Sequence, residues 1–255
     1  MLRLSVVSYL NTAPFLYGLE RSGLLESDSI QISLDIPAVC ADKLRSGMVD
    51  VGLVPVATLL SLPQYSILGN TCIGAVGKVD SVVLMSDVPL EEIEEIVLDF
   101  QSRTSVNLCR LLARDYWKIN PVFTSAKPDF LSTLGGKRAG VLIGDRVFDY
   151  AHRFKYVYDL SEAWMNWKLQ PFVFACWASI NPIADEKWQK VEDALLLGIS
   201  NIELAAKSVE ANYPAHYPVL NYLSERISYT LDSPKRAGLE TFLSALSTIT
   251  LLESQ

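Results

Sequence analysis

Apolar runs alternate with amphipathic segments along the first sixty residues of the chain. Residues 2–9 and 30–35 are β-rich, and residues 51–54 are apolar throughout, as expected of strands buried in a sheet. Pro14 opens a short segment with helical spacing, and "PAVCADKLRSGMVD" has the spacing of a second amphipathic helix. The order strand, helix, strand, helix, strand predicts a mostly parallel sheet covered by helices.

The same alternation of strand and helix patterns recurs in the middle of the chain. Strands are predicted at residues 81–86, 96–99 and 169–178, and "RAGVLIGDRVFDY" reads as strand, turn and helix. From Asp185 onward the pattern is helical almost to the end, and Ser233 is predicted to cap the last helix.

This order predicts an α/β protein with two lobes rather than one. Residues 1–85 and 179–255 would form the first lobe, and residues 86–178 would be inserted as the second. The strands near Ser81–Ser86 and Phe172–Ala178 would cross between the lobes. Such a chain has mixed sheets with helices on both faces, and a central cleft walled by strand ends and helix N-termini.

Composition and charge narrow the class of protein. Half of the 255 residues are hydrophobic, one fifth are charged, and the formal net charge is −7. No basic stripe is present, which argues against a nucleic-acid partner. The first ten residues lack the features of a secretory signal, and no apolar run has the length of a membrane span, so we predict a cytoplasmic protein without a membrane partner. Whether it is a monomer or a homodimer stays open.

Cysteine and histidine usage predicts no metal site. The four cysteines are far apart, lie in apolar segments and form no CxxC motif, so reduced and buried thiols are expected. The two histidines form no cluster with carboxylates. GxSxG, Walker and GxGxxG motifs are also absent from the sequence, which leaves esterase, kinase and dinucleotide-binding functions unsupported.

Polar residues gather where four predicted strands end or begin. These segments are Tyr9–Thr12, Ser81–Ser86, Gln101–Ser105 and Gly144–Asp145. Taken alone, each segment is weak evidence for a ligand site, because a Ser/Thr pair before a helix is usually a cap. Taken together, they supply the helix N-termini and side-chain donors that a carboxylate-binding cleft needs. The pattern alone therefore predicts a two-lobed protein that closes on a small anionic ligand.

Several of these residues have two interpretations. Arg103 either adds a charge-assisted bond to an anion or pairs with a surface carboxylate. Asn11 and Asp145 are each either a helix cap or a group facing the cleft, where Asp145 would carry a proton. Tyr9 either lines a pocket for a ring or belongs to the core.

Six segments of the sequence resemble, in this order, the MqnA family. They are "VSYLNTAPF", "GMVDVGLVPVATLL", "SVVLMS", "DFQSRTSVNLCRLL", "VLIGD" and "PFVFACWA". Members of that family are chorismate dehydratases of the futalosine route to menaquinone. The resemblance implies a type II periplasmic-binding-protein-like fold used as a cytoplasmic lyase. The implied reaction takes chorismate, a dianion, to 3-[(1-carboxyvinyl)oxy]benzoate plus water, and it needs no cofactor because aromatisation drives it.

The resemblance also implies roles for particular residues. Asn11 matches an active-site asparagine, Ser86 closes the crossover motif that Ser81 begins, and Asp145 matches the "IGD" turn. The implied catalytic residues are Asn11, Ser86 and Asp145. Thr104 and Ser105 match the "SRTS" turn at the cleft. With the candidates from the residue pattern included, the predicted substrate-binding residues are Tyr9, Ser81, Arg103, Thr104, Ser105 and Gly144. One departure is Lys168-Leu169-Gln170, where the family usually has Thr-Gly-Leu.

Two questions stay open at this point. The general base is either Asp145 or the enolpyruvyl carboxylate of the substrate itself. Two other functions share the fold: a solute-binding protein for a small carboxylate, and the related later enzyme of the same pathway, which acts on cyclic dehypoxanthinyl futalosine.

Overall fold

Two β-sheets organise the chain. The structure is a computed structural model that describes residues 1–27 and 29–253, with side chains to residue 248. The six-stranded sheet has the order β11-β4-β10-β3-β1-β2, and the five-stranded sheet has the order β7-β6-β8-β5-β9. The strands are β1 (Leu2–Val7), β2 (Ile30–Asp35), β3 (Val51–Pro55), β4 (Ser66–Ala75), β5 (Val82–Ser86), β6 (Glu95–Leu98), β7 (Val122–Ser125), β8 (Arg138–Ile143), β9 (Tyr156–Asp159), β10 (Phe172–Ser179) and β11 (Ser228–Thr230).

The two sheets share one plan of strand directions. In the first sheet β1 pairs in parallel with β2 and β3, and β10 runs antiparallel between β3 and β4. In the second sheet β6 pairs in parallel with β7 and β8, and β5 runs antiparallel between β8 and β9. In the first sheet β10 and the edge strand β11 therefore oppose the other four strands, and in the second sheet β5 opposes the other four. The chain crosses between the sheets next to β5 and β10.

Helices cover both sheets. Within the described residues the α-helices are α1 (Ala13–Arg21), α2 (Pro37–Arg45), α3 (Thr104–Leu111), α4 (Val147–Tyr150), α5 (Leu160–Lys168), α6 (Asp185–Ser200), α7 (Ile202–Val209), α8 (Val219–Asn221) and α9 (Ser233–Glu253). The long helical segment of the sequence is thus two helices, which meet at Asn201. No helix in the described part of the chain is long and apolar enough to cross a membrane.

The sequence pattern found the strands that have an apolar run or a clear alternation of apolar and polar residues, and it missed the others. β2 has the predicted bounds, and β3 and β8 lie where predicted. β4 is missed because its first half is exposed or half-buried, so no alternation shows. β7, β9 and β11 have only three or four residues, and burial along them is incomplete. Short edge strands carry too little periodicity to be recognised.

The two crossover strands belong to other sheets than the predicted lobe boundaries imply. All of β5 lies in the five-stranded sheet, although most of it was assigned to the first lobe, and all of β10 lies in the six-stranded sheet. A strand pairs along its whole length with its neighbours, so a boundary cannot cut through it. We propose lobes that divide before β5 and before β10.

The last helix begins with a different cap from the one predicted. Asp232, not Ser233, supplies the cap: its carboxylate accepts the backbone N–H of Lys235 at 3.0 Å. The second carboxylate oxygen accepts the Lys235 ammonium at 3.0 Å, and the ammonium is otherwise almost fully buried. The acidic cap therefore also neutralises a lysine that the fold encloses.

Close helix packing fixes the position of α1. A Cβ atom at Gly18 would lie 1.9 Å from the carbonyl oxygen of Ala194, and one at Gly198 would lie 1.7 Å from that of Pro14. Only glycine allows α1 and α6 to approach this closely. Since α1 follows directly on Asn11, this packing also determines where the Asn11 turn lies. The four cysteines are buried and free, as predicted.

Leu169 is expected to be a destabilising residue. It ends α5 in the left-handed conformation, with φ +55°, and its side chain is 82% exposed. A Cβ atom in this conformation costs about 1 kcal/mol, and an exposed leucine side chain contributes little stability to offset this cost. Leu169→Gly should raise the free energy of unfolding by about 0.5 kcal/mol, after the larger entropy of unfolded glycine is subtracted. Urea unfolding measures this change. Leu169→Ala keeps the Cβ atom and should give no gain; an equal gain in both variants would contradict the strain argument.

Candidate functional site

A cavity lies between the two sheets, at the ends of strands from both. It has about 520 Å³ of space between atoms, part of it open to solvent. Its walls come from the segments after β1, β3 and β8, from the crossover before β5, from β10 and from the start of α3. Six of the nine predicted site residues line it, and these are Tyr9, Asn11, Ser81, Thr104, Ser105 and Gly144. Ser86, Arg103 and Asp145 lie outside the lining.

Asn11 lies in the 3₁₀ turn between β1 and α1. Its side chain does not cap α1, and its Oδ1 atom is buried without a hydrogen-bond partner in the protein. Its backbone carbonyl accepts the hydroxyl of Tyr229 at 3.0 Å, which holds the turn in place. A buried amide oxygen without a partner is costly, and Asn11 lines the cavity, so this oxygen is suited to a ligand donor.

Ser81 precedes β5, in the crossover between the sheets. Its side chain is 2% exposed, and its hydroxyl lies 2.7 Å from the hydroxyl of Tyr222. Its carbonyl accepts the backbone N–H of Gly144 at 2.9 Å. This bond joins the Ser81 crossover to the turn after β8, so two walls of the cavity are tied together at Ser81.

Tyr9 and Gly144 both line the cavity and pack against each other. Gly144 has φ +72°, and a Cβ atom there would lie 3.1 Å from the Tyr9 ring. Both the backbone conformation and the space therefore require glycine. The Tyr9 hydroxyl donates to the side-chain oxygen of Gln101, and burial raises the pKa of the phenol well above its usual value. Tyr9 is consequently a neutral wall of the cavity at ordinary pH.

The turn before α3 presents serine and threonine to the cavity. The Thr104 hydroxyl donates to the carbonyl of Phe174 at 3.1 Å and accepts the N–H of Ala57 at 3.2 Å. It therefore anchors α3 to the six-stranded sheet. Either Ser102 or Thr104 is placed by the sequence to cap this helix, and the Ser102 hydroxyl oxygen accepts the backbone N–H of Ser105 at 2.9 Å. The proton of the Ser102 hydroxyl therefore remains available.

A buried ion pair positions two of these turns. Asp99 is 1% exposed and lies 2.6 Å from Arg146. It also accepts the backbone N–H groups of Gln101, at 3.1 Å, and Ile143, at 3.3 Å. Burial raises the pKa of Asp99, against the opposing effect of Arg146. Asp99 opens the segment "DFQSRTSVNLCRLL" and Arg146 directly follows "VLIGD", but a sequence pattern does not show that two residues 47 positions apart pair with each other.

Ser86 lies at the wrong end of β5 for the predicted role. β5 runs antiparallel to β8, so Val82 pairs with Ile143 beside the cavity, whereas Ser86 pairs with Tyr156 at the far end. The Ser86 hydroxyl accepts the backbone N–H of Val88 at 3.2 Å in a turn. Four strand residues separate the two serines, about 13 Å or more along the chain. Ser81 is thus the crossover serine that the fold brings to the cavity.

Arg103 is paired outside the cavity. Its guanidinium donates to the carboxylate of Asp42, in α2, at 2.7 Å. The interpretation as a surface ion pair is therefore the one that the structure shows. Because Asp42 packs with the six-stranded sheet and Arg103 precedes α3, the pair bridges two sides of the cleft near its rim.

Asp145 bonds to the Asn11 turn rather than to its own helix. Both carboxylate oxygens accept the backbone N–H of Leu10, at 3.0 and 3.1 Å, and the Tyr213 hydroxyl donates at 3.4 Å. No side-chain bond caps α4. Burial raises the pKa of Asp145 to about 6, with the Leu10 and Tyr213 bonds opposing it. Asp145 therefore fixes the turn that carries Asn11.

Protonation of Asp145 should change stability across the weakly acidic range. With a pKa of about 6 in the folded protein and 3.8 for the ordinary carboxyl, the folded state binds more protons between these values. The protonated Asp145 carboxyl therefore contributes its full share of the free energy of unfolding below about pH 4, and this share is lost as the pH rises through 6. Asp145→Asn mimics the neutral form, so it should match wild type near pH 4 and exceed it near pH 7 by on the order of 2 kcal/mol.

Urea unfolding of both proteins from pH 4 to pH 7.5 measures this difference. Other titrating groups cancel in the comparison. A difference that stays constant with pH would show that the Asp145 carboxyl titrates normally.

Neutral groups dominate the electrostatics of the cavity. Among the described residues that line it, none carries a charged side chain. The polar lining consists of hydroxyls, one amide and backbone, with the start of α3 at one wall. An anion would be held here by dipoles and hydrogen bonds, which are strong where the walls exclude water. The residues lining the cavity are Val7, Tyr9, Asn11, Pro37, Pro55, Ile73, Val79, Ser81, Val82, Ser102, Thr104, Ser105, Ile143, Gly144, Phe174, Ala175 and Ile227.

Two sheets with crossing strands and a cavity between them define a protein with the periplasmic-binding-protein fold. An Archaeoglobus fulgidus protein of known structure is similar over 98% of both chains, with a TM-score of 0.77 and 16% identity. The aliphatic sulphonate binding protein of Escherichia coli is similar over 98% of this chain and 87% of its own, with a TM-score of 0.62 and 16% identity.

Residues 2–248 match the family model described as menaquinone biosynthesis, and the chain belongs to that family. It is also 28% identical to the chorismate dehydratase of Thermus thermophilus, over 95% of this chain and 94% of the relative. The resemblance found in the sequence motifs is thereby confirmed.

Proposed function

We propose that the protein is a chorismate dehydratase, a carbon–oxygen lyase of menaquinone biosynthesis. The observation that carries this proposal is the similarity to the Thermus thermophilus chorismate dehydratase, which runs along nearly the whole of both chains. The site supports it, because its neutral and mostly apolar walls fit a cyclic substrate with two carboxylates. In this proposal chorismate is a small-molecule substrate, and the reaction requires no cofactor.

The proposed reaction removes one water from the ring. A C–H bond and a neighbouring C–O bond break, the ring becomes aromatic, and no electrons enter or leave. The protein therefore has to orient the ring, hold two carboxylates, assist the departing hydroxide and exclude bulk water. Ser102 and Ser105, at the start of α3, are suited to one carboxylate.

Asn11 and Ser81 would orient the reacting part of the ring. The Asn11 Oδ1 atom is a buried acceptor without a hydrogen-bond partner, and the ring hydroxyl of chorismate could donate to it. Ser81 also lines the cavity, and its hydroxyl can donate to the oxygen that leaves. A donor placed at the position where negative charge develops accelerates such a step by about 10²–10³-fold.

The base in this proposal is the enolpyruvyl carboxylate of the substrate. Asp145 is the alternative, but its two oxygens face the Leu10 N–H, outside the cavity lining. The described residues of the lining include no carboxylate and no imidazole, and the Tyr9 phenol is held in its neutral form. A carboxylate carried by the substrate itself needs no protein group at that position.

Incubation of the purified protein with chorismate tests the proposal. We expect conversion to 3-[(1-carboxyvinyl)oxy]benzoate, detected by mass spectrometry as a product lighter by one water and by the rise of aromatic absorbance. Chorismate without protein is the control. Tight binding without loss of water would instead indicate a solute-binding protein, and turnover of cyclic dehypoxanthinyl futalosine alone would indicate the later enzyme of the pathway.

A further inference from the structure

Tyr222 is buried behind the cavity wall, next to Ser81, one of the proposed substrate contacts. It begins a π-helical turn, Tyr222–Arg226, that follows α8, and its side chain is 1% exposed. Its hydroxyl lies 2.7 Å from the Ser81 hydroxyl. Its ring packs edge-on against Phe148, with 5.3 Å between ring centroids. Tyr222 does not line the cavity, and nothing in the sequence motifs points to it.

The surroundings of the Tyr222 hydroxyl determine which way its proton points. A buried phenol O–H requires an acceptor. The Asn11 Oδ1 atom is not that acceptor, because it has no partner in the protein. The Ser81 oxygen, at 2.7 Å, is the acceptor that the structure provides. Tyr222 therefore donates to Ser81, and the Ser81 proton remains for a group in the cavity.

We propose that Tyr222 is a positioning residue that sets the hydrogen-bonding direction of Ser81. Its phenol proton is directed at the Ser81 oxygen, so Ser81, which lines the cavity, is left as a donor to the substrate. This inference rests on the proposed function for its substrate, chorismate. A serine hydroxyl without this partner would sample both directions, and only part of the population would be arranged for reaction.

Tyr222→Phe removes the hydroxyl and keeps the ring against Phe148. We expect kcat with chorismate to fall about tenfold, the worth of one well-placed hydrogen bond, while KM changes less than about threefold. In a Ser81→Ala background the same substitution should lower kcat by less than about threefold, because the residue through which Tyr222 acts is gone. Tyr217→Phe is the matched control: Tyr217 also packs against Phe148 but donates to Asp149. It should keep wild-type kcat.

The outcomes separate the two proposals. A wild-type protein that does not convert chorismate would overturn the proposed function. Conversion by wild type together with an unchanged kcat in Tyr222→Phe would overturn the positioning role alone. An equal loss of kcat in the wild-type and Ser81→Ala backgrounds would also overturn it, since Tyr222 would then not act through Ser81.

Discussion

Ser81→Ala should lower kcat/KM for chorismate by about 100-fold or more, whereas Ser86→Ala should stay within about threefold of wild type. Ser81 lines the cavity, and the Tyr222 hydroxyl occupies its acceptor side, so its proton faces the ligand. Ser86 is equally buried, but it bonds to the Val88 N–H at the far end of β5. The two variants therefore differ in position and not in chemistry.

Steady-state kinetics of both variants, with urea unfolding to confirm that each is folded, provides the test. Ser81→Cys is an informative third variant, because a thiol keeps the size of the side chain and donates weakly. Its rate should fall between those of wild type and Ser81→Ala. A larger loss from Ser86→Ala than from Ser81→Ala would restore the role that the motif alone assigned to Ser86.

Asp159→Ala should lower the free energy of unfolding by about 3–5 kcal/mol. The Asp159 carboxylate is 4% exposed and accepts four backbone N–H groups. Those of Ser161 and Glu162 belong to the first turn of α5, at 3.0 and 3.1 Å. Those of Val79 and Asp80 belong to the crossover before Ser81, at 2.9 and 2.7 Å. Alanine would leave all four donors without an acceptor in a buried place.

The same substitution should affect the site as well as the fold. Asp80 has φ +63°, so the crossover is held in a conformation that an unrestrained chain would leave. We therefore expect Asp159→Ala to raise KM for chorismate at temperatures where the variant is still folded. Asp159→Asn keeps one acceptor oxygen and should lose about half as much stability.

Urea unfolding at neutral pH measures these changes. Asp129→Ala, at an exposed carboxylate, is the control and should change stability by less than about 0.5 kcal/mol. If Asp159→Ala cost no more than Asp129→Ala, the four bonds would not hold the crossover.

The sequence predicted the elements whose pattern is local. β1, β2, β3 and β8 follow from apolar runs, and α1 and α2 follow from helical spacing with a proline in the first turn. The polar segments at Tyr9–Thr12, Gln101–Ser105 and Gly144 were also found, because strand ends in open α/β sheets form ligand sites regardless of what the ligand is. Six of the nine predicted residues line one cavity for this reason.

The errors concern residues whose role depends on partners distant in the chain. A motif of six residues cannot show which of Ser81 and Ser86 reaches the cavity, since that depends on the antiparallel pairing of β5 with β8. Asp145 has the same local sequence whether it caps α4 or bonds to Leu10, 135 residues away. Arg103 meets Asp42 only because α2 and α3 face each other across the cleft.

By itself, the sequence determined the order of most strands and helices, the lack of a basic stripe, the buried thiols and the family membership. Each of these depends only on neighbouring residues or on composition. Only the tertiary structure decided the exchange of β5 and β10 between the sheets, the choice of Ser81 over Ser86, and the position of Tyr222 behind the cavity. Hydrogen bonds and burial in a folded protein join groups by distance in space, and a side chain such as that of Tyr222 acquires its function only from the neighbours that folding brings to it.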